Sequence, residues 1–206
     1  MRSLDYMNRV EAYVNRLNSE RRTVLETIPQ VRFLDLMADE INCADMTADC
    51  EEDENKKYGV APNLDAVHTR GYAKRSLVLE DCSSWPVFSC IDTWGGPDYH
   101  GIFAFSVTIT EEMKGRIIGF SLDTGADDIW NTDNPQIMVY ANGVLTCAMD
   151  LNHHEVILSD CAEPGKIYDI RLYAYVNSPG KSNFLYLKVF AKEQEAEALY
   201  YDMKLP

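Results

Sequence analysis

Across residues 4–28 the apolar side chains Met7, Val10, Val14, Leu17, Val24, Leu25 and Ile28 recur mostly at three- and four-residue steps, with Glu and Arg between them. That spacing puts them on one face of an amphipathic helix, and Pro29, which cannot continue a helix, is expected to stop it. A stripe of this kind is a packing face, suited to docking on a neighbouring domain or a second subunit. Residues 44–57 are of another character, with Asp45, Asp49, Glu51, Glu52, Asp53 and Glu54 crowded into a stretch of little apolar content. It reads as a solvated loop. A calcium-binding EF-hand would need oxygens at alternate positions and a glycine at the sixth, where Cys50 stands, so calcium is not expected.

After Trp85 the chain changes to short alternating or apolar runs separated by turn residues, the pattern of an antiparallel sandwich or barrel. The expected strands are residues 102–108, 116–122, 136–141, 144–149, 155–158, 167–176 and 184–191. Asn142-Gly143 between two of them predicts a type I′ hairpin, because both central residues must take positive φ. Pro164-Gly165 marks another turn. Residues 193–199 have helical propensity and lead into Tyr200-Tyr201-Asp202, which reads as the start of a connection. No self-similar period suggests a propeller or solenoid.

Composition narrows the class. The 206 residues suit one domain with an appendage, and 46% hydrophobic content with 12 tyrosines fits strands better than a helical bundle. A formal net charge of -14 would repel a phosphate backbone and an anionic membrane surface, so nucleic acid and membrane are not expected partners. Six cysteines occur with no Cys-x-x-Cys pair and no histidine at zinc-finger spacing. The N-terminus runs straight into a charged helical pattern instead of a signal sequence, which favours a cytoplasmic protein whose cysteines are reduced core thiols. No apolar run approaches the length of a membrane span.

The sharpest short motif is Asp123-Thr124-Gly125, the core of the retroviral aspartic proteases, in which two such aspartates share a proton and activate water. The glycine-rich flap and the apolar supporting strand of that class are both missing from the residues that follow. A strand end opening into a turn explains Asp and Gly here on backbone grounds. His153 and His154 are adjacent, so on a strand they would point to opposite faces, a poor zinc site even with Asp150 nearby. Trp94, Tyr99 and Trp130 fall in segments rich in Gly, Pro, Asp and Asn. Exposed there, they could stack on sugar rings, with Asn134 and Gln136 as hydrogen-bonding neighbours; the alternative is that they cover the ends of the core or a domain interface.

Three segments together resemble the N-terminal domain of family 38 α-mannosidases of the bacterial and yeast-vacuolar type. They are Asn134-Pro135-Gln136 with the strand running to Tyr140-Ala141-Asn142-Gly143, then Asp150-Leu151-Asn152-His153-His154-Glu155, and finally Leu199-Tyr200-Tyr201-Asp202. Thr124-Gly125 and Trp130 also fit the stretch before Asn-Pro-Gln. The resemblance covers roughly residues 85–206 and implies a mainly β, antiparallel jelly-roll sandwich of the galactose-binding-like kind. It implies a helical leader and acidic loop over 1–60, the sandwich over 61–192, and over 193–206 the start of a linker to a separate catalytic domain, where zinc and the catalytic carboxylate would reside. No catalytic or metal residue is carried over to this chain.

The function expected from this reading is that of a non-catalytic accessory domain of an α-mannosidase, with the catalytic domain of the same polypeptide and further copies of the parent enzyme as partners. The alternative is a free-standing module binding mannose-containing glycans, and aspartic protease is a third. Candidate sugar-binding or interface residues are Trp94, Tyr99, Trp130, Asn134, Gln136, Asn152 and His153.

Overall fold

The structure, a computed structural model, describes residues 2–37, 78–125 and 135–204, with the side chains of the first helix described from residue 8 onward. The acidic stretch 44–57, Cys43, Cys50, Trp130 and Asn134 lie outside the described residues.

Among the described residues helix α1 (Arg2–Glu20) is followed by ten strands: β1 (Arg22–Ile28), β2 (Gln30–Asp35), β3 (Val87–Ser89), β4 (Tyr99–Thr108), β5 (Ile117–Asp123), β6 (Gln136–Ala141), β7 (Val144–Met149), β8 (Glu155–Ser159), β9 (Ile167–Val176) and β10 (Tyr186–Lys192). Helix α2 (Gln194–Lys204) follows. The strands form two antiparallel sheets, one of order β1-β10-β5-β8 and one of order β3-β2-β4-β9-β6-β7. From β4 onward the chain crosses repeatedly from one sheet to the other, as a jelly-roll winding requires. The sandwich and the strands expected after residue 100 are therefore present, each within two residues of its expected limits at nearly every end.

The expected helix over 4–28 is corrected. It ends at Glu20, and residues 22–28 are β1, paired along its length with β10 from Arg22↔Lys192 to Ile28↔Leu187. Val24, Leu25 and Ile28 satisfy a helical period, but Thr23, Val24, Thr27 and Ile28 are β-branched and fit a pleated surface better. Pairing with an already buried strand decides the case. Pro29 does break the chain, as a corner: β1 belongs to the smaller sheet, and β2, one residue later, pairs with β3 and β4 in the larger.

The main core fills the space between the sheets. Phe103, Phe105 and Val107 of β4 and Ile170, Leu172 and Ala174 of β9 face Ile118, Phe120 and Leu122 of β5 and Leu187 and Val189 of β10. A second cluster lies on the outer face of the larger sheet, where Trp85 and Leu36 cover Ile102, Ala104 and Tyr173. Strands β4 and β9 are thus buried on both faces, which is why residues 102–105 read as a continuous apolar run and not as an alternation. Asn142 and Gly143 take φ of 51° and 76°, the conformation of a type I′ turn, and Gly165 takes 85°. The Asn142 side-chain oxygen accepts the Asp169 backbone N–H at 2.8 Å and its own N–H donates to the Asp169 carbonyl at 2.8 Å, tying the hairpin to β9.

Helix α2 packs against α1 and is clamped to the smaller sheet by charge. Glu197 lies 3.0 Å from Lys192, 3.7 Å from Arg22 and 3.8 Å from Arg21. Glu193 accepts from Arg116 at 2.6 Å and from Thr23 at 2.8 Å. The Arg21 guanidinium sits 4.2 Å from the centre of the Tyr200 ring. The described cysteines are free thiols, but Cys82, Cys90 and Cys147 are only partly buried and Cys161 is exposed, so they are not the fully buried core thiols the sequence suggested. No described helix is long and apolar enough to cross a membrane.

Candidate binding cleft

A cleft of about 370 Å³ opens where the end of β5, the starts of β6 and β10 and the β7–β8 loop converge. Strand alternation builds it. On β5 the side chains of Phe120 and Leu122 point into the sandwich, which leaves Ser121 and Asp123 on the outer face. Register pairs Ser121 with Lys188 and with Glu155, and Asp123 with Tyr186, so five polar or aromatic side chains share one outer surface. Leu122, Ile137 and Met149, at the edge of the core, supply an apolar floor.

One wall is the loop from Asp150 to His154. The Asp150 carboxylate accepts the backbone N–H groups of His153 at 2.7 Å and Asn152 at 2.8 Å, and lies 3.1 Å from the His153 ring nitrogen. Partial burial opposes ionisation at Asp150, but those hydrogen bonds outweigh it and hold the carboxyl below its ordinary value. The Asp-x-Asn-His segment is therefore an Asx-type turn whose aspartate organises the loop. His154 accompanies it into the cleft, with Nδ1 3.3 Å from the Leu151 carbonyl. Glu155 is engaged by Arg22.

The Asp-Thr-Gly motif ends β5 at the same place. The Gly125 N–H donates to Asp123 Oδ1 at 2.8 Å, Gly125 has φ 74°, and the buried Thr124 accepts the Phe184 N–H at 2.9 Å. This is the strand end and turn that the residue types suggest. Among the described residues no three of His, Cys, Asp or Glu converge as metal ligands would.

The aromatic candidates separate. Trp94 is 1% exposed, bridged to Asn183 through the backbone, with its indole N–H donating to the Phe184 carbonyl at 3.1 Å. Its ring packs edge-on to Phe103, 5.4 Å between centres. Tyr99 is also buried, and burial, reinforced by Asp35, pushes its hydroxyl far above the ordinary tyrosine value. Neither ring offers a face to solvent; both belong to the main core cluster. Gln136 opens β6 exposed, opposite Tyr175. Asn152 and His153 are exposed on the loop, His153 with 80% of its side chain in solvent. The ring that does reach the cleft is Tyr186, 38% exposed and stacked on Phe184 with 5.4 Å between centres. The sequence hid it: Tyr186 lies inside a strand pattern, and only the register with Asp123 shows which way it faces.

The sandwich is similar to part of a glycoside hydrolase. The β-glucuronidase from Ruminococcus gnavus in complex with D-glucuronic acid is 12% identical over 84% of this chain and 30% of that one, with a TM-score of 0.43. The same enzyme in complex with C6-substituted uronic isofagomine is 11% identical over the same shares, with a TM-score of 0.44. This chain thus spans about 30% of the length of those proteins. The likeness is in fold alone. No protein-family model matches the sequence, and no curated protein matches it.

Proposed function

We propose that this chain is a non-catalytic accessory domain of a glycoside hydrolase, and that its parent is an α-mannosidase similar to those of family 38. The observation that carries the reading is the common destination of the family-like segments. Asn-Pro-Gln leads into β6, Tyr-x-Asn-Gly forms the β6–β7 hairpin, and Asp-x-Asn-His-x-Glu forms the loop into β8. Together they build one edge of the larger sheet and the loop that leaves it.

In this reading the domain supplies interfaces. Helix α2 is held by the Glu193 and Glu197 contacts, and Leu199, Tyr201 and Met203 on it remain partly exposed, as does Tyr13 on α1, the helix it packs against. An apolar surface on a clamped helix pair is suited to receiving a catalytic domain or a second copy of the parent. Zinc and the catalytic carboxylates belong to that other domain, and the parent is cytoplasmic.

The experiment is to purify the polypeptide made by the native gene and assay hydrolysis of an aryl α-mannoside, beside the 206-residue chain alone. The native polypeptide is expected to be several hundred residues longer and to hydrolyse the substrate in a zinc-dependent way, while the isolated chain does not. A native product that ends at Pro206, or hydrolysis by the isolated chain, overturns the reading.

A further inference from the structure

We propose that the cleft between β5, β10 and the β7–β8 loop is a saccharide site for neutral pyranosides, with Tyr186 as the stacking platform and Asp123 and Lys188 as the hydroxyl-binding pair. The inference does not rest on the accessory-domain reading, since it concerns binding by this chain whatever polypeptide carries it.

The argument begins with which charges in the cleft are already committed. Glu155 is paired with Arg22, and Asp150 accepts the Asn152 and His153 N–H groups with Oδ1, which leaves Oδ2 to offer. Asp123 uses one oxygen for the Gly125 N–H and has a second to offer. Lys188 makes no ion pair with any described residue, although its partner across the β5–β10 ladder, Ser121, is only two residues from Asp123. The cleft therefore offers acceptors at the second oxygens of Asp123 and Asp150 and a donor at the Lys188 ammonium. Carboxylate and ammonium line the same cleft, so an anionic ligand loses at Asp123 and Asp150 and a cationic one loses at Lys188.

A ligand that satisfies both groups presents donors and acceptors at neighbouring positions, which adjacent hydroxyls do. Ser121 adds a further hydroxyl partner. The remaining lining is a ring face and an apolar floor of Leu122, Ile137 and Met149. That combination suits the C–H face of a pyranose, which has one apolar side and a polar rim. The volume, about 370 Å³, is within the roughly 300–1,000 Å³ usual for small-molecule sites. Phe184, stacked behind Tyr186, holds the platform ring in place before any ligand arrives.

The test is ligand-observed NMR and calorimetric titration of the 206-residue chain with α-mannobiose, cellobiose, methyl β-glucuronide and glucosamine. Saturable binding of at least one neutral disaccharide is expected, several-fold tighter than the glucuronide or glucosamine. Tyr186→Ala should weaken it about ten-fold, the size of one aromatic contact. Lys188→Met and Asp123→Asn should each weaken it similarly; asparagine keeps the oxygen that accepts from Gly125, so the turn survives. Ile91→Ala, at an exposed position outside the cleft, should bind as the unmodified chain does. Flat titrations with both neutral sugars, preference for the charged ones, or undiminished binding by both Lys188→Met and Asp123→Asn overturn the proposal. Each of these outcomes is independent of whether the native polypeptide hydrolyses mannosides.

Discussion

Gly119 sits in the middle of β5, between Phe190 of β10 and Ile157 of β8. A Cβ placed on it would lie 2.3 Å from the Val156 carbonyl oxygen, 2.8 Å from the Phe190 ring and 3.2 Å from Ile157 Cδ1. Carbon and oxygen in a close but tolerable contact stand about 3.3 Å apart, so a methyl group here must push β8 away by roughly 1 Å. The carbonyl belongs to edge strand β8, which its pairs with β5 from Glu155↔Ser121 to Ser159↔Ile118 hold in place, and the Phe190 ring is 1% exposed. Overpacking costs about 1–3 kcal/mol, and a backbone contact at 2.3 Å beside a buried ring at 2.8 Å argues for the upper end. Against this stands a gain of about 0.5–1 kcal/mol from restricting the unfolded chain. Gly119→Ala should therefore destabilise by about 2 kcal/mol, which at a urea slope of about 2 kcal/mol/M lowers the midpoint by about 1 M. Gly180 is the internal control, since a Cβ there meets nothing within 4 Å. Urea unfolding followed by tryptophan fluorescence reads both variants. A Gly119→Ala midpoint equal to that of Gly180→Ala would show that β8 yields freely and that the steric reasoning is wrong.

Phe103→Ala removes the ring at the centre of the Phe33, Phe88 and Trp94 cluster and should cost about 3–5 kcal/mol in chemical denaturation; a loss below about 1 kcal/mol would mean the cluster collapses onto the gap. Glu197→Gln leaves Arg21, Arg22 and Lys192 facing one another without their shared carboxylate, and should cost about 1–3 kcal/mol while raising amide exchange in α2 before the rest of the sandwich; unchanged α2 exchange would refute the clamp. Asn142→Ala loses the bond to the Asp169 N–H and a side chain tolerant of φ 51°, and a fall in thermal midpoint equivalent to about 1–2 kcal/mol is expected, against no change if the turn is held by β6 and β7 alone. Asp150 has its pKa lowered in the folded state, so its contribution is fully present above the unfolded carboxylate value of about 4 and disappears as pH falls through the lower folded value. The Asn152 and His153 amides should exchange faster once pH drops below that range, whereas exchange that is flat with pH after correction for the intrinsic rate would remove Asp150 as the loop's organiser.

Much of this protein is determined locally and can be read in one dimension. The strands β6, β7 and β9 are bounded by turn residues whose backbone needs are specific, Asn142-Gly143 and Pro164-Gly165 above all, so their limits and pairing follow from neighbours in the chain. Asp-Thr-Gly and Asp-x-Asn-His are likewise local: each is an aspartate accepting backbone N–H groups two or three residues on. What local pattern leaves open is settled by partners far along the chain. Val24, Leu25 and Ile28 suit a helix or a strand, and it is β10, more than 150 residues later, that makes them a strand. Trp94 and Tyr99 stand among loop residues, yet both belong to the main core cluster. Tyr186, Lys188, Asp123 and Glu155 carry no joint signature in sequence, because a cleft is set by the register between strands, and register is a property of the sheet that no single strand contains.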